Sequence, residues 1–220
     1  MRCHPWDNVT DGKLLFTPRH YCPKEFKILR RALANGGVFV DIGANVGAFT
    51  LQAAALKDVE VLAIEPNPTA LNRLKFNLMI NDFRGVTIIE TVVGEWNGET
   101  SFTFNQESIG QSGIGVRSTG GKYDVHRLPI RTLSNILSEQ KINSITVLKV
   151  DVEGFEDNVL IPFLESAKRS QWPRVFIIED NRPIRPRILS VLSDCGYNFA
   201  LRTKENVVLA LKIPSKNHRN

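Results

Sequence analysis

The chain of 220 residues is 42% hydrophobic and 23% charged, a composition that is typical of a globular protein and suits a single α/β domain. No apolar run approaches the ~18 residues that a membrane-spanning helix needs, and the first residues lack the apolar core of a signal peptide, so we expect a cytoplasmic protein with no membrane span. The formal net charge is +5. Residues 181–220 hold eight basic and two acidic side chains and carry the whole excess, which predicts a local basic edge and argues against a surface coated for nucleic acid.

Three cysteines cannot all pair within the chain and show no C-x-x-C spacing, so we expect free thiols. Cys3, His4, His20 and Cys22 are zinc ligands by type, but their spacing matches no familiar zinc pattern. No metal site is predicted from them.

Residues 1–22 show no regular pattern and are predicted to form an irregular N-terminal cap. One domain is expected over residues 23–213, since no repeat or proline-rich linker divides the sequence. Its first element is a predicted helix at 23–34, where apolar residues recur at helical spacing and Asn-Gly-Gly supplies the stop.

The stretch that organises the sequence is residues 38–51, Val-Phe-Val-Asp-Ile-Gly-Ala-Asn-Val-Gly-Ala-Phe-Thr-Leu. An apolar β-branched run, a turn with Gly43, Asn45 and Gly47, and a second apolar run predict a strand, a tight turn and a helix N-terminus. This layout places a nucleotide at the carboxyl end of a parallel strand. Glycine lets the backbone approach a ligand closely, and asparagine tolerates a left-handed turn conformation.

Two kinds of nucleotide could occupy such a turn. The dinucleotide fingerprint G-x-G-x-x-G/A fits only if Asn45 replaces the middle glycine. Asp41 argues further against a dinucleotide, because a carboxylate ~5 Å from a pyrophosphate charge costs on the order of 3 kcal/mol. S-adenosylmethionine has an adenosine, an ammonium and a sulfonium but no phosphate, so we expect it as the cofactor, with Asp41, Gly43, Asn45 and Gly47 in its site. The alternative is a turn that only joins strand to helix.

A second strand is predicted at 59–65, followed by a helix. Glu65 lies at the end of this strand, where its carboxylate can accept both ribose hydroxyl hydrogens of an adenosine. The alternative is that Glu65 stabilises the helix N-terminus. A third strand is predicted at 86–93 and is expected to bring Val93 near the adenine ring.

Residues 94–131 interrupt the alternation of strands and helices. The start of this insertion alternates like a hairpin strand and its later part is rich in Gly and Ser, so we interpret it as a substrate loop or lid. His126 lies in the insertion and could act as a base, but a surface histidine is the simpler interpretation.

Acidic residues cluster after the predicted strand at 145–150, which follows a predicted helix at 132–140. If this strand neighbours the first strand across the point where the strand order reverses, Asp151 and Glu153 face the transferable methyl group. For Glu156, helix capping and pairing with the helix dipole are expected.

The remaining elements complete the predicted sheet. A helix at 155–167 leads to a strand at 175–178, and strands at 197–202 and 207–211 must be antiparallel because only four residues join them. We therefore predict an α/β fold with a Rossmann-like, doubly wound sheet of seven strands, the last of them antiparallel. Residues 214–220 are expected to form a disordered tail.

Arg182 and Arg185 follow the fifth predicted strand, on the same rim of the sheet as the acidic cluster. Their guanidinium groups could bind a phosphate or carboxylate of the substrate. The alternative is a solvated loop.

Three ordered motifs resemble the FkbM-type methyltransferases, namely Val-Asp-Ile-Gly-Ala-Asn-Val-Gly-Ala-Phe-Thr at 40–50, Glu-Pro-Asn-Pro at 65–68 and Leu-Lys-Val-Asp-Val-Glu-Gly-Phe-Glu at 148–156. The resemblance covers about residues 24–212. It implies the class I methyltransferase fold, S-adenosylmethionine as methyl donor, and O-methylation of a hydroxyl on a sugar or another secondary metabolite. The N-terminal segment and the insertion carry no motif of the family, so the resemblance does not define the acceptor.

The expected chemistry is methyl transfer to an acceptor oxygen held in line with the S–CH3 bond of the cofactor. Asp151 is the first candidate for the base that takes the hydroxyl proton, and Glu153 is the second. Alternatively, either carboxylate binds a divalent metal, a route that is less favoured because no histidine joins them.

Two other functions stay open at this point. The basic C-terminal region suggests a nucleic-acid (RNA) methyltransferase, although Asp-Val-Glu-Gly at 151–154 replaces the Asn-Pro-Pro-aromatic run that is common in base-modifying enzymes. A module that binds S-adenosylmethionine without turnover is the other alternative.

Overall fold

The computed structural model of the chain describes residues 1–115, 122–180 and 186–211. Within them, the α-helices are α1 (Val9–Phe16), α2 (Pro23–Ala32), α3 (Ala48–Ala54), α4 (Pro68–Ile80), α5 (Leu133–Glu139), α6 (Glu156–Ser166) and α7 (Pro186–Asp194). The strands are β1 (Gly37–Ile42), β2 (Val59–Ile64), β3 (Val86–Ile89), β4 (Val92–Gly94), β5 (Gly98–Asn105), β6 (Tyr123–Thr132), β7 (Val147–Val150), β8 (Val175–Glu179), β9 (Tyr197–Arg202) and β10 (Asn206–Leu211). Short 3-10 helices span Ile109–Gln111 and Arg169–Gln171.

Seven strands form the central sheet in the order β3-β2-β1-β7-β8-β10-β9. The pairs from β3 to β8 are parallel, whereas β10 runs antiparallel to both β8 and β9. The predicted doubly wound α/β fold, with seven strands and a reversed last strand, is therefore confirmed. Because the strand order reverses between β1 and β7, their carboxyl ends border the crevice where such folds bind ligands.

The register of the strands at this crevice places polar side chains side by side. Asp41 of β1 is the partner of Lys149 of β7, and the Asp151 N–H donates to the Ile42 carbonyl at 3.1 Å. On the other side of β1, the Gly43 N–H donates to the Ile64 carbonyl at 2.9 Å. Three strands thus fix the turn that follows β1.

Apolar side chains cover both faces of the central sheet, which explains why its inner strands have nearly continuous apolar sequences. Successive residues of β1 point to opposite faces, so Phe39 enters a core cluster with α2 and α3, and Val40 enters a larger one with α5, α6 and α7. Both side chains are fully buried. With both faces covered, the polar groups of the sheet are concentrated at the strand ends.

The turn after β1 has the backbone conformation that its sequence predicts. Asn45 has φ 51°, and the glycines on either side, Gly43 and Gly47, have φ 73° and 95°. All three residues are therefore in the left-handed region, where glycine and asparagine are least strained.

The third predicted strand is wrong in its extent, because residues 86–93 divide between two sheets. The central sheet keeps β3, and β4 pairs with β6 in a separate three-stranded sheet of order β4-β6-β5. The Thr91 hydroxyl donates to the Pro129 carbonyl at 3.0 Å and holds the chain where it leaves the central sheet. The predicted hairpin in the insertion is confirmed, since β5 and β6 pair antiparallel.

The N-terminal segment is not wholly irregular, which corrects the prediction for residues 1–22. It contains α1, whose first turn is capped by the Asn8 side chain, which accepts from the N–H groups of Thr10 and Asp11. Leu15 and Phe16 are apolar but exposed, so the apolar residues of α1 do not form the single buried face whose periodicity usually indicates a helix. The assignment of this segment as a cap, and the domain limits, stay predictions.

Some predictions fall on residues that the structure does not describe. Arg182 and Arg185 lie in the gap after β8, and the predicted tail at 214–220 lies beyond β10. Among the helices of the described ranges, none combines the length and the apolar composition that crossing a membrane requires.

The close approach at Gly43 gives a prediction about stability. A Cβ atom at this position would overlap the backbone carbonyl of Asp151, and its φ of 73° is unfavourable for alanine. We expect Gly43→Ala to lower the free energy of unfolding by about 3 kcal/mol or more, which corresponds to a Tm roughly 10 °C lower by thermal denaturation. Gly85→Ala is the matched control, because a Cβ there meets nothing within 4 Å. Equal Tm values for the two variants would contradict the inferred close packing.

Candidate active site

A cavity opens at the carboxyl edge of the central sheet, over the ends of β1, β2, β7 and β8. Among the described residues, five carboxylates line it: Glu65, Asp151, Glu153, Glu179 and Glu205. The cavity is therefore predominantly acidic. Its position is the one that the strand order predicts.

Glu65 follows β2 directly and is 7% exposed. Its two carboxylate oxygens accept backbone N–H groups of Asn45, at 2.8 Å, and of Asn67, at 2.9 Å. Burial raises the pKa of Glu65 to about 7, although these two hydrogen bonds act in the opposite direction. The carboxylate keeps acceptor capacity on each oxygen, because each accepts only one of these N–H groups.

The other residues of the turn divide into two groups. Gly43 and Asn45 line the cavity, and the Asn45 side chain also accepts a hydrogen bond from Asn8 of the N-terminal segment at 2.8 Å. Gly47 instead starts α3 and lies against α4, where an added Cβ would be 2.5 Å from a methyl group of Leu74. Gly47 thus serves helix packing, while Gly43 and Asn45 reach the cavity.

Asp41 is fully buried and is not among the residues that line the cavity. The Thr50 hydroxyl donates to its Oδ2 at 2.6 Å, and the Lys149 ammonium lies 3.6 Å from its Oδ1. Burial raises the pKa of Asp41, and Lys149 opposes that shift. Lys149 compensates the charge of Asp41, which corrects the expectation that Asp41 itself disfavours a pyrophosphate; the acidity of the cavity comes from the other carboxylates.

Val93 of β4 is one of the apolar residues that line the cavity. Phe102, Ile109 and Phe155 are apolar lining residues as well. These side chains come from the insertion and from the start of α6, so the hairpin sheet supplies one wall of the site. The predicted contact between Val93 and adenine stays a prediction.

Asp151 and Glu153, the first and second candidates for the base, lie close to a third acid, Glu179. One carboxylate oxygen from each of the three lies within 4.8 Å of the others. Glu153 has φ 53°, a left-handed conformation that turns the chain sharply after β7. Glu156 turns back into this loop and accepts the N–H groups of Val152 and Gly154, so it stabilises the turn.

Glu179 was not predicted as a site residue, although it occupies the end of β8 as Glu65 follows the end of β2. It is 8% exposed, and burial, followed by the charges of Asp151 and Glu153, raises its pKa to about 10. Glu179 is therefore protonated at neutral pH. The shared position at a strand end was the signal that could have revealed it.

The three carboxylates are also close enough to share a divalent cation, which prefers oxygen ligands. The Lys149 ammonium is already 3.1 Å from Asp151 Oδ2 and supplies positive charge at this point. We assign no metal site to the cluster.

The N-terminal segment also contributes to the lining of the cavity. Asn8, Lys13, Tyr21 and Cys22 line it, and Lys13 forms an ion pair with Glu205 of the β9–β10 turn. This ion pair and the Asn8–Asn45 hydrogen bond connect the segment to two separate parts of the sheet edge.

A family model described as Methyltransferase FkbM domain matches residues 41–199, which include the turn, Glu65 and the acidic cluster. The chain belongs to the FkbM methyltransferase family. It is therefore a methyltransferase, and its cofactor is S-adenosylmethionine.

Curated relatives of this FkbM-family chain carry methyltransferase names. Methyltransferase sdnD of Sordaria araneosa is 28% identical in an alignment of 200 residues and covers 76% of this chain and 76% of the relative. The 31-O-demethyl-FK506 methyltransferase FkbM of Streptomyces tacrolimicus is 28% identical in an alignment of 171 residues and covers 65% of this chain and 64% of the relative.

Solved structures share the fold of the FkbM-family chain. Precorrin-6y C5,15-methyltransferase of Geobacter metallireducens has a TM-score of 0.54 at 14% identity, covering 86% of this chain and 88% of its own. The N-terminal domain of human METTL16 in complex with SAH has a TM-score of 0.52 at 14% identity, covering 86% and 68%. At this identity the likeness concerns the fold alone.

The predicted role of Glu65 in binding the ribose of S-adenosylmethionine has a testable consequence. Glu65→Gln removes the charged acceptor, and we expect cofactor affinity to fall about 10- to 100-fold by calorimetry, since hydrogen bonds to charged groups contribute roughly 1.5–3 kcal/mol. In the wild type, affinity should rise between pH 6 and pH 8 as Glu65 ionises through its pKa of about 7. The rise of cofactor affinity with pH should be absent in the Glu65→Gln variant.

Glu60→Gln is the matched control for this experiment, because Glu60 lies on the same strand but is exposed. Its affinity and pH dependence should match those of the wild type. Wild-type affinity in the Glu65→Gln variant would exclude the ribose contact.

Proposed function

We propose that the protein transfers a methyl group from S-adenosylmethionine to a hydroxyl of a small-molecule acceptor, a sugar or another secondary metabolite. The observation that carries this proposal is the placement of Asp151 and Glu153 on the cavity, at the switch point of the sheet. The printed name of one relative, 31-O-demethyl-FK506 methyltransferase, supports an oxygen atom of a secondary metabolite as acceptor.

The cavity residues fit the cofactor. Glu65 offers acceptor capacity for ribose hydroxyls, the left-handed turn at Gly43 and Asn45 presents backbone to the cavity, and Val93 offers an apolar contact for adenine. Lys13 lines the cavity but is already paired with Glu205, so it adds little net positive charge for a pyrophosphate. These features favour an adenosyl compound without phosphate.

When bound, S-adenosylmethionine supplies a methyl group that its sulfonium has already activated. Asp151 accepts the proton that the acceptor hydroxyl releases as the new C–O bond forms and the S–C bond breaks. Glu153 accepts a hydrogen bond from the same or a neighbouring acceptor hydroxyl and orients it. The protonated Glu179 keeps the local negative charge low enough for Asp151 to stay ionised.

Two segments outside the central sheet shape the acceptor site and exclude water. The Ile109 N–H donates to the Asp7 carbonyl at 3.0 Å, so the insertion and the N-terminal segment are in contact. The Asn67 side chain donates to the Ile109 carbonyl at 3.2 Å and ties both to the end of β2. We infer that these two segments form the cap over the acceptor.

The charge of the cavity favours an uncharged acceptor over a phosphodiester. A phosphate ~5 Å from one ionised carboxylate loses on the order of 3 kcal/mol at an effective dielectric of 20, and several carboxylates add to this cost. Hydroxyl groups, in contrast, donate hydrogen bonds to carboxylates. This argues against a nucleic-acid acceptor at this site.

The acceptor can be identified by incubating the protein with methyl-labelled S-adenosylmethionine and small-molecule and RNA fractions of a cell extract. We expect label in a small molecule with a new methyl ether, detected by mass spectrometry. Label only in the RNA fraction, or binding of the cofactor with no transfer to either fraction, would contradict the proposed function.

Asp151→Asn should lower kcat by about 10²- to 10⁴-fold, because general-base catalysis contributes that much, while the affinity for S-adenosylmethionine stays within about twofold. Steady-state kinetics and calorimetry measure the two effects separately. Asp58→Asn, at an exposed turn, is the matched control. Unchanged turnover in Asp151→Asn would remove this residue from the mechanism.

Removal of divalent metal ions should leave turnover unchanged, since the Lys149 ammonium already provides a cation at Asp151. The test is the initial rate with and without EDTA, at saturating cofactor. A rate that falls with EDTA and returns with Mg²⁺ would contradict it.

A further inference from the structure

Lys149 is a buried cation at the centre of the crevice, and its side chain is only 6% exposed. Its ammonium group lies 3.1 Å from Asp151 Oδ2, 3.6 Å from Asp41 Oδ1 and 3.3 Å from the carbonyl oxygen of Gly43. The same group lies 5.3 Å from the centre of the Phe49 ring. The polar contacts of Lys149 are therefore made to two residues that line the cavity, Asp151 and Gly43, and to the buried Asp41.

The strand geometry explains this convergence. Alternate residues of a strand point to the same face, so Lys149 and Asp151 at i and i+2 can pair at the end of β7. The parallel register brings Asp41 beside Lys149 from β1, although the two are 108 positions apart in the sequence. Asp41 offsets the cost of burying the lysine, and Asp151, whose side chain is 35% exposed, reaches the cavity.

We infer that Lys149 is a positioning residue for the methyl transfer: its ammonium group holds Asp151 as a carboxylate directed into the cavity and at the same time holds the Gly43 turn of the cofactor site. This inference rests on the proposed role of Asp151. A single cation thereby joins the group that removes the acceptor proton to the backbone that borders the cofactor.

The charges around Asp151 show why a cation is needed. The titratable groups that surround it are Asp41 on β1, Glu65 after β2, Glu153 in the loop after β7, Glu179 on β8 and Tyr21 of the N-terminal segment. Tyr21 and the protonated Glu179 carry no charge at pH 7, but the ionised carboxylates among these groups repel the Asp151 charge, and like charges at short range favour protonation. Lys149 is the neighbouring group that opposes this effect among the residues that the structure describes.

The test must separate loss of this role from loss of folding. Lys149→Met alone leaves Asp41 as an uncompensated buried carboxylate, so it is paired with Asp41→Asn, which keeps an acceptor for the Thr50 hydroxyl. The double variant removes both charges of the buried pair. Thermal denaturation establishes that it is folded before any other measurement.

The decisive readout is the titration of the Asp151 carboxyl carbon by 13C NMR, with the signal assigned by its absence in Asp151→Asn. An opposite charge at this distance changes a carboxyl titration by about 1–3 pH units. We therefore expect the Asp151 midpoint to lie higher in the folded double variant than in the wild type, by less than this full amount because Asp41→Asn also removes a like charge. Lys149→Arg, which keeps the charge, should retain a midpoint near the wild-type one.

Activity gives the second readout. The pH profile of kcat should be displaced to higher pH in the double variant, so that its kcat falls most at the acidic end and recovers as the pH is raised above the new Asp151 midpoint. Lys57→Met is the control for loss of a positive charge, because Lys57 is exposed and distant from the cavity in the described structure. It should change neither readout.

A folded double variant whose Asp151 midpoint equals the wild-type value would overturn the inference, whatever its activity. A fully active Asp151→Asn variant would instead contradict the proposed base and leave the NMR result unaffected. The two failures are therefore distinguishable.

Discussion

The site depends on how closely β1 and β7 approach at the point where the strand order reverses. The backbone of Gly43 lies against the Asp151 carbonyl with no room for a Cβ, and the Lys149 side chain crosses the same gap to reach both strands. This proximity brings the turn that borders the cofactor within a few ångströms of the acids assigned to the acceptor. A wider gap would separate the two halves of the reaction.

The buried acids of the cavity are differentiated by their surroundings. Glu65 accepts two backbone N–H groups and has a pKa of about 7, whereas Glu179, beside two other carboxylates, has a pKa of about 10. Asp151 lies 3.1 Å from the Lys149 ammonium. Environments that separate the protonation states of neighbouring carboxyls are how one site can hold a neutral acid and an ionised base together.

The sequence predicts those features that depend on local conformation or on a position at a strand end. The left-handed turn at Asn45 and the positions of Glu65, Asp151 and Glu153 at the crevice belong to this class. Lys149 could not be assigned in advance, because its role requires the register of β1 against β7. The division of residues 86–93 between two sheets was missed because a continuous β-branched run gives no sign of where it changes partners.

The small sheet of β4, β5 and β6 and the N-terminal segment contact the cavity from outside the seven-stranded sheet. Their sequences can diverge without changing the register that holds the cofactor turn and Lys149. Changes in the small sheet and the N-terminal segment would therefore alter which acceptor fits while the central sheet stays the same. Chimaeras that exchange these two segments between relatives are the starting point for changing the acceptor.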